Sequence, residues 1–367
     1  MTVRDLDPET RTVLDRFGFD EARFELLRER VRSGELTPES NVVAGQVEPP
    51  RDEDVVRLPE RGADACARRA GEDAIRRGEL AAAVLNGGMA TRFGGVVKGT
   101  VEVLDGLSFL ELKLRSTREV ADALGAPIHV ALMTSFATDA ATRAFLQDRG
   151  LPDPLVFAQS VSLRLERDGS LFRGDDGKPS LYAPGHGDFL GAIRRSGTLD
   201  RLRSQGVRHV VVSNVDNLGA RVDPAVFGIH LLEGRPVSAE QAGKEGDMGG
   251  APARVDGRLQ VLETPRFPPA FDHDLIPVFN VNTLWIDLDV LDRDYDLTWL
   301  YVEKSVDGRT TVQLEHLYHE LTAFHPTTYL QVPRNGPRGR FFPVKTPDDL
   351  EAARGPLREM LETSPLG

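Results

Sequence analysis

Sulfur chemistry is nearly absent from this chain. Its 367 residues include one cysteine, which excludes an intrachain disulfide and any cysteine-based zinc site. That residue, Cys66, stands in an Ala/Arg-rich helical stretch and reads as structural rather than nucleophilic. No run of about 18 apolar residues occurs, so no transmembrane helix is expected. The charged start, Met1-Thr2-Val3-Arg4-Asp5, lacks the apolar core of a signal peptide, and a cytoplasmic protein is expected. A surplus of basic charge is also missing. Lys and Arg total 45 against 57 Asp and Glu, a net charge of −12, which excludes a global footprint for nucleic acid. A few local cations could still hold a small anion. Internal repeats, heptads and low-complexity tracts are absent.

The remaining composition, 40% hydrophobic and 28% charged, is that of an ordinary globular chain. Its length suits two domains or one large α/β domain with insertions. Residues 1–78 read as an N-terminal helical region, with Phe17, Phe19, Phe24, Leu26 and Leu27 on its apolar faces and a turn-rich break at Gly45 to Pro50. Residues 79–367 form the second unit. Short apolar runs at Ala81–Leu85, Ile128–Leu132, Leu155–Ala158, Val210–Val212 and Phe279–Ile286 alternate with helical segments such as Ser108–Leu124 and Phe189–Leu202. This alternation predicts an α/β fold with a doubly wound, mostly parallel sheet. Two hairpins are expected, turning at Asp168-Gly169 and Asp256-Gly257.

After the first apolar strand comes Leu85-Asn86-Gly87-Gly88-Met89-Ala90-Thr91-Arg92-Phe93-Gly94-Gly95. Glycines allow close backbone approach and expose N–H groups to phosphates. The spacing matches neither the dinucleotide fingerprint nor the lysine-ended phosphate loop. Arg92 and Lys98 are two cations beside this turn, suited to a triphosphate. The segment resembles the start of sugar-nucleotide pyrophosphorylases, and Leu-Asn-Gly-Gly is similar to the UDP-glucose pyrophosphorylase (UTP–glucose-1-phosphate uridylyltransferase) family. Further segments resemble that family in its order over about residues 80–365. They include Leu132–Asp139, Phe157–Ser160, Pro184–Asp188, Val212–Ala220, Phe279–Trp285 and Arg340–Thr346.

The resemblance implies a nucleotide-diphospho-sugar transferase-like, Rossmann-like catalytic domain over 79–367, with UTP and a sugar-1-phosphate as substrates and Mg²⁺ as cofactor. Asp216 follows an apolar strand, where a carboxylate faces the ligand crevice of an open α/β sheet and can serve Mg²⁺ alongside phosphate oxygens. Leu85, Asn86, Gly87, Gly88, Gln159 and Gly185 are expected around the nucleotide. An amide such as Gln159 suits a uracil edge. His186, Asn214, Glu240, Lys244 and Asn282 are expected on the sugar-phosphate side, with Asn280 and Asn282 on one strand face. Arg92, Lys98 and Lys345 are the expected catalytic cations. Lys345 precedes a clean helix start, Thr346-Pro347, a good place for phosphate.

Some positions depart from the family pattern. Arg92 replaces a serine but matches the Thr-Arg of bacterial nucleotidyltransferases, and Lys98 aligns only with a one-residue gap. Gly243 replaces an asparagine near Glu240 and Lys244. The C-terminal β-helix of eukaryotic members is expected to be missing, which leaves protein partners open. The expected reaction is uridylyl transfer to glucose-1-phosphate. The alternatives are transfer to galactose- or N-acetylglucosamine-1-phosphate, or a nucleotide-sugar binding protein without turnover.

Overall fold

The computed structural model describes residues 6–58, 65–90, 95–151, 154–247, 249–344 and 346–363. Its central sheet has eight strands: β1 (Val55–Arg57), β2 (Leu80–Leu85), β3 (His129–Thr134), β4 (Leu155–Ala158), β5 (His209–Asn214), β6 (Val237–Gly243), β7 (Val278–Asp287) and β8 (Thr327–Gln331). In space the order is β1-β8-β6-β7-β5-β2-β3-β4. All neighbours pair in parallel except β7, which is antiparallel to both β6 and β5. The mostly parallel sheet expected from the apolar runs is therefore present.

The helices are α1 (Pro8–Arg16), α2 (Glu21–Arg32), α3 (Ala65–Arg76), α4 (Phe109–Leu124), α5 (Asp139–Asp148), α6 (Phe189–Arg195), α7 (Thr198–Ser204), α8 (Pro224–Glu233), α9 (Leu321–Phe324) and α10 (Pro347–Glu362). They cover both sheet faces, because alternate strand residues point to opposite sides. Ala81, Ala83, Leu85, Val210 and Val212 pack with Phe189, Ile193, Leu199 and Leu202 of α6 and α7. Leu80, Ala82 and Val211 pack with Ile75 of α3, Val120 of α4 and Phe227 of α8. Every residue of β2 is buried, as strands covered on both faces require. Among the described residues no helix is long and apolar enough to cross a membrane.

Local chemistry accounts for most boundaries. Ser108 and Glu111 form a capping box that starts α4, and Gly125 in the left-handed region ends it. The helix expected over Phe189–Leu202 is broken at Gly197 (φ 73°), which separates α6 from α7. The Asp256-Gly257 hairpin joins Ala251–Val255 to Arg258–Leu262 with both turn residues at positive φ, as a type I′ turn demands. At Asp168-Gly169 the pairing reduces to a Leu165–Leu171 bridge. Asp105-Gly106 and Asp307-Gly308 make two more such turns that the sequence reading missed.

The N-terminal stretch is not wholly helical. Val55–Arg57 forms the sheet edge against β8, and Val47–Glu48 pairs with Arg254–Val255. Leu14, Phe24 and Leu27 are buried against Val161, Leu163, Val312 and Leu314, but Leu26 is exposed. Cys66 is exposed on α3.

Helices α3 and α8 approach through glycines. A Cβ on Gly228 would lie 1.6 Å from the Ala67 carbonyl oxygen, and one on Gly71 1.8 Å from that of Pro224. Gly228→Ala gains about 1 kcal/mol of helix propensity but forces two backbones apart, an overpacking cost of about 1–3 kcal/mol or more. The net effect expected is destabilisation, read as a lower urea midpoint. An unchanged midpoint would contradict this contact.

Candidate functional site

The parallel neighbours β2 and β5 place Leu85 beside Asn214, and their following loops diverge. The crevice at such a switch point is the usual ligand site of an open α/β sheet. The β2 loop is clamped from one side. Asn86 is fully buried: its Nδ2 donates to Thr142 Oγ1 at 3.1 Å, and its carbonyl accepts from Thr138 Oγ1 at 2.9 Å. Ser135 Oγ donates to the Gly87 carbonyl at 2.8 Å. A Cβ on Gly87 would lie 2.1 Å from Gln159 Nε2, so glycine here lets that amide lie against the turn, whereas Gly88 faces open space.

Gln159 is thus brought against the glycine turn. Its Oε1 is buried and has no partner among the described residues. Buried polar groups are normally satisfied, so this acceptor fits a ligand N–H. The next residue ties in Gly185: Ser160 N donates to Asp188 Oδ2, and Arg195 pairs with the same carboxylate at 3.0 Å. Gly185 has φ 92°, and a Cβ on it would lie 2.7 Å from the His316 carbonyl oxygen. Gln159 and Gly87 form one wall, and the Ser160–Asp188 bond ties it to the turn that holds Gly185, whose carbonyl accepts from Asp188 N at 3.3 Å.

Lys98 opens a short 3₁₀ turn, Lys98–Thr100. Its ammonium donates to Asp216 Oδ2 across 118 residues of sequence. The two side chains are 21% and 22% exposed, so the pair remains open to a ligand. Beyond Asp216, Asn217 Nδ2 donates to the Arg340 carbonyl at 3.2 Å and its Oδ1 accepts from Phe342 N at 2.9 Å. These bonds deliver the chain to Thr346, which caps α10 with Asp349, with Pro347 at the first position. Arg92 and Lys345 lie outside the described residues.

At the end of β5, Asn282 Nδ2 donates to Asn214 Oδ1 at 3.0 Å. Asn282 sits inside β7 at φ 56°, where the β6–β7 register shifts between Ala239 and Gln241. This bulge interrupts the alternation from which a shared face with Asn280 was expected. Such strain in a non-glycine residue costs of order 1–3 kcal/mol and collects at functional sites. Tyr318 joins the cluster: its hydroxyl donates to the Asn282 carbonyl at 2.8 Å and its N–H to His186 Nδ1 at 3.2 Å. His186 therefore carries its proton on Nε2, and burial, reinforced by His316, pushes its pKa down to about 3. It is an uncharged donor.

Two expected sugar-side residues are corrected. Glu240 is fully buried; it accepts from Arg340 Nε and Nη2, each at 2.7 Å, and from Trp285 Nε1 at 2.8 Å. Its carboxylate is consumed internally, so it supports the site from beneath. Lys244 donates to the His273 carbonyl at 2.8 Å, turned toward the loop before β7 and apart from the Asn214–Asn282 pair.

One supporting residue escaped the sequence reading. Lys113 of α4 is buried, and its Nζ donates to Ser213 Oγ at 3.0 Å and the Ala220 carbonyl at 2.7 Å. It grips both ends of the loop that carries Asp216. Burial, with Arg340 adding repulsion, brings its pKa down to about 7. The available signal was a lysine set within the apolar run from Phe109 to Leu114.

The site's histidines generate a stability test. Burial lowers His316 to about 4 and His319 well below its ordinary value, alongside His186. In the unfolded chain each titrates near 6.5. As pH falls below about 6.5 the unfolded state gains protons that the native state refuses, so stability falls by about 2 kcal/mol per histidine at pH 5. Tm should drop between pH 7.5 and 5, with a shallower slope in His316→Gln. A flat Tm would contradict neutral burial.

The sequence model of the UTP–glucose-1-phosphate uridylyltransferase family matches residues 23–361. The chain is 30% identical to the UTP–glucose-1-phosphate uridylyltransferase of Pyrus pyrifolia, over 92% of this chain and 76% of that protein. It is 31% identical to that of Hordeum vulgare, over 76% of this chain but 62% of the relative's length. A crystal structure of a Leishmania major UDP-glucose pyrophosphorylase mutant superposes with a TM-score of 0.76 at 25% identity, covering 95% of this chain and 80% of that one. The chain belongs to the UTP–glucose-1-phosphate uridylyltransferase family.

Proposed function

We propose that this chain transfers UMP from UTP to glucose-1-phosphate, giving UDP-glucose and pyrophosphate. The observation that carries the reading is the meeting of Lys98 with Asp216, between the Gly87–Gln159 wall and the Asn214–Asn282 pair. Curated relatives at about 30% identity are named for glucose-1-phosphate, which favours that sugar over galactose- or N-acetylglucosamine-1-phosphate.

In this mechanism a sugar-phosphate oxygen forms a bond to the α-phosphorus of UTP, the bond to the β-phosphate oxygen breaks, and pyrophosphate leaves with the electron pair. The nucleophile is already ionised, so positioning and charge neutralisation matter more than proton transfer. Gln159 and the backbone of Gly87, Gly88 and Gly185 hold the nucleoside. The Lys98 ammonium exchanges from Asp216 to a phosphate oxygen as the triphosphate enters. Asn214, Asn282 and the Nε2–H of His186 orient the sugar phosphate without taking its proton. Arg92 is assigned to the triphosphate, and Lys345 to the sugar phosphate or the α-phosphate, from their motifs.

The residues present fit Mg²⁺. Asp216 offers a partly exposed hard oxygen donor whose charge Lys98 balances, and phosphate oxygens complete such a site. Asp216 would hold the ion, which when bound would neutralise charge on the transferring phosphates.

Pyrophosphate release from UTP, Mg²⁺ and a panel of sugar-1-phosphates tests the reading. The expected result is release with strong preference for glucose-1-phosphate. No release with any sugar would overturn it. Lys98→Ala and Asp216→Asn should each lower the rate at least about 100-fold with unchanged urea midpoints, and parental rates in either would remove that residue's role.

A further inference from the structure

At the opposite edge of the same strands lies a cluster unrelated to this chemistry. His209 opens β5 and Asp287 closes β7, directly across the antiparallel ladder. His230 projects from α8. Asp287 Oδ1 lies 2.8 Å from His209 Nδ1 and 3.1 Å from His230 Nε2, and the donor atoms of all three residues fall within 4.8 Å of one another. On the far side of the His230 ring, Nδ1 lies 2.8 Å from Ser238 Oγ. His209 and Asn214 bracket β5, about 16 Å apart at the usual strand rise, so the cluster is remote from Lys98 and Asp216.

We propose that His209, His230 and Asp287 form a binding site for a divalent transition metal, with Zn²⁺ as the representative ion. Two imidazoles and one carboxylate are a borderline donor set that suits Zn²⁺ and disfavours Mg²⁺. Zinc ligands at about 2.0–2.1 Å sit about 3.3 Å from one another in a tetrahedron; Asp287 Oδ1 lies inside that spacing from both imidazoles and all the donors fall within 4.8 Å, so side-chain adjustment admits the ion. Three protein ligands leave a fourth position, and Asp287, 39% exposed, provides the entry side, while His230 is 1% exposed. Ser238 supplies the outer support that metal-bound imidazoles ordinarily have, holding the ring nitrogen that does not face the ion. The proton bookkeeping closes: each imidazole shifts its N–H to the other ring nitrogen, His230 then donating to Ser238 Oγ, and both rings stay neutral. The ion would tie β5, β7 and α8 together below the crevice, a stabilising role distinct from turnover.

Zinc titration of the chelator-stripped, full-length protein in excess Mg²⁺ tests the proposal. The parent should bind one Zn²⁺ per chain and gain thermal stability. His209→Gln and Asp287→Asn should each weaken binding at least tenfold. Ser238→Ala should also weaken it about tenfold, with pyrophosphate release unchanged in all three. Co²⁺ in the parent decides the matter if a variant fails to fold: visible bands without a thiolate charge-transfer band support the site, and no such bands overturn it. Failure of the parent to bind Zn²⁺, equal affinity in Asp287→Asn, or a thiolate band pointing to Cys66 would each overturn it.

Discussion

The parallel pairing of β2 with β5 is the constraint on which the site depends. It sets Leu85 beside Asn214 and sends the glycine turn and the Asp216 loop out of the same sheet edge, each onto its own side of the crevice. The long-range meeting of Lys98 and Asp216 follows from that register. A slip of one residue would turn the shifted strand's side chains to the wrong faces. The slip is opposed by the burial of alternating residues on both sides of β2.

Beneath the crevice the chain invests in buried charge. Arg340 and Glu240 are an almost fully enclosed pair, with Trp285 completing the carboxylate and Arg221 offering its carbonyl to the guanidinium at 3.0 Å. Replacing such a pair by apolar residues is often neutral or stabilising, while breaking it strands a charge. Its value here is positional. Arg340 also presents its carbonyl to Asn217, so the pair locks the segment leading to α10 against the Asp216 loop. Lys113 grips that loop at Ser213 and Ala220. These charges fix the Asp216 loop from its buried side.

The cluster around Asn214 and Asn282 uses neutral polarity and strain instead. The bulge at Asn282 turns one strand residue out of register so that its amide reaches Asn214. Tyr318 spans from that strained backbone to His186, so the carbonyl and the imidazole are positioned by a single residue. Buried side-chain oxygens of Asn86, Gln159, Asn280 and Asn282 have no partner among the described residues, as expected where a polar ligand completes the hydrogen bonding.

Much of this was determined by the sequence alone. The apolar runs place the strands, Ser108 with Glu111 and Thr346 with Pro347 start their helices, and Asp-Gly pairs mark the hairpins. These are local effects of burial, capping and turn chemistry within a few residues. The ordered motifs also identify Gly87, Gln159, Lys98 and Asp216 as a set. Other features were decided only by tertiary structure. Glu240 and Lys244 share a motif, yet partners about 100 and 29 residues away claim their charges. Lys113 looks like an ordinary helical lysine until α4 docks beneath the Asp216 loop. His209, His230 and Asp287 are unremarkable in order and converge only because an antiparallel ladder and a packed helix bring them within reach. The physical reason is common to all three cases: a charged or polar side chain takes its role from the partner that satisfies it after burial, and local sequence does not specify a partner chosen by folding.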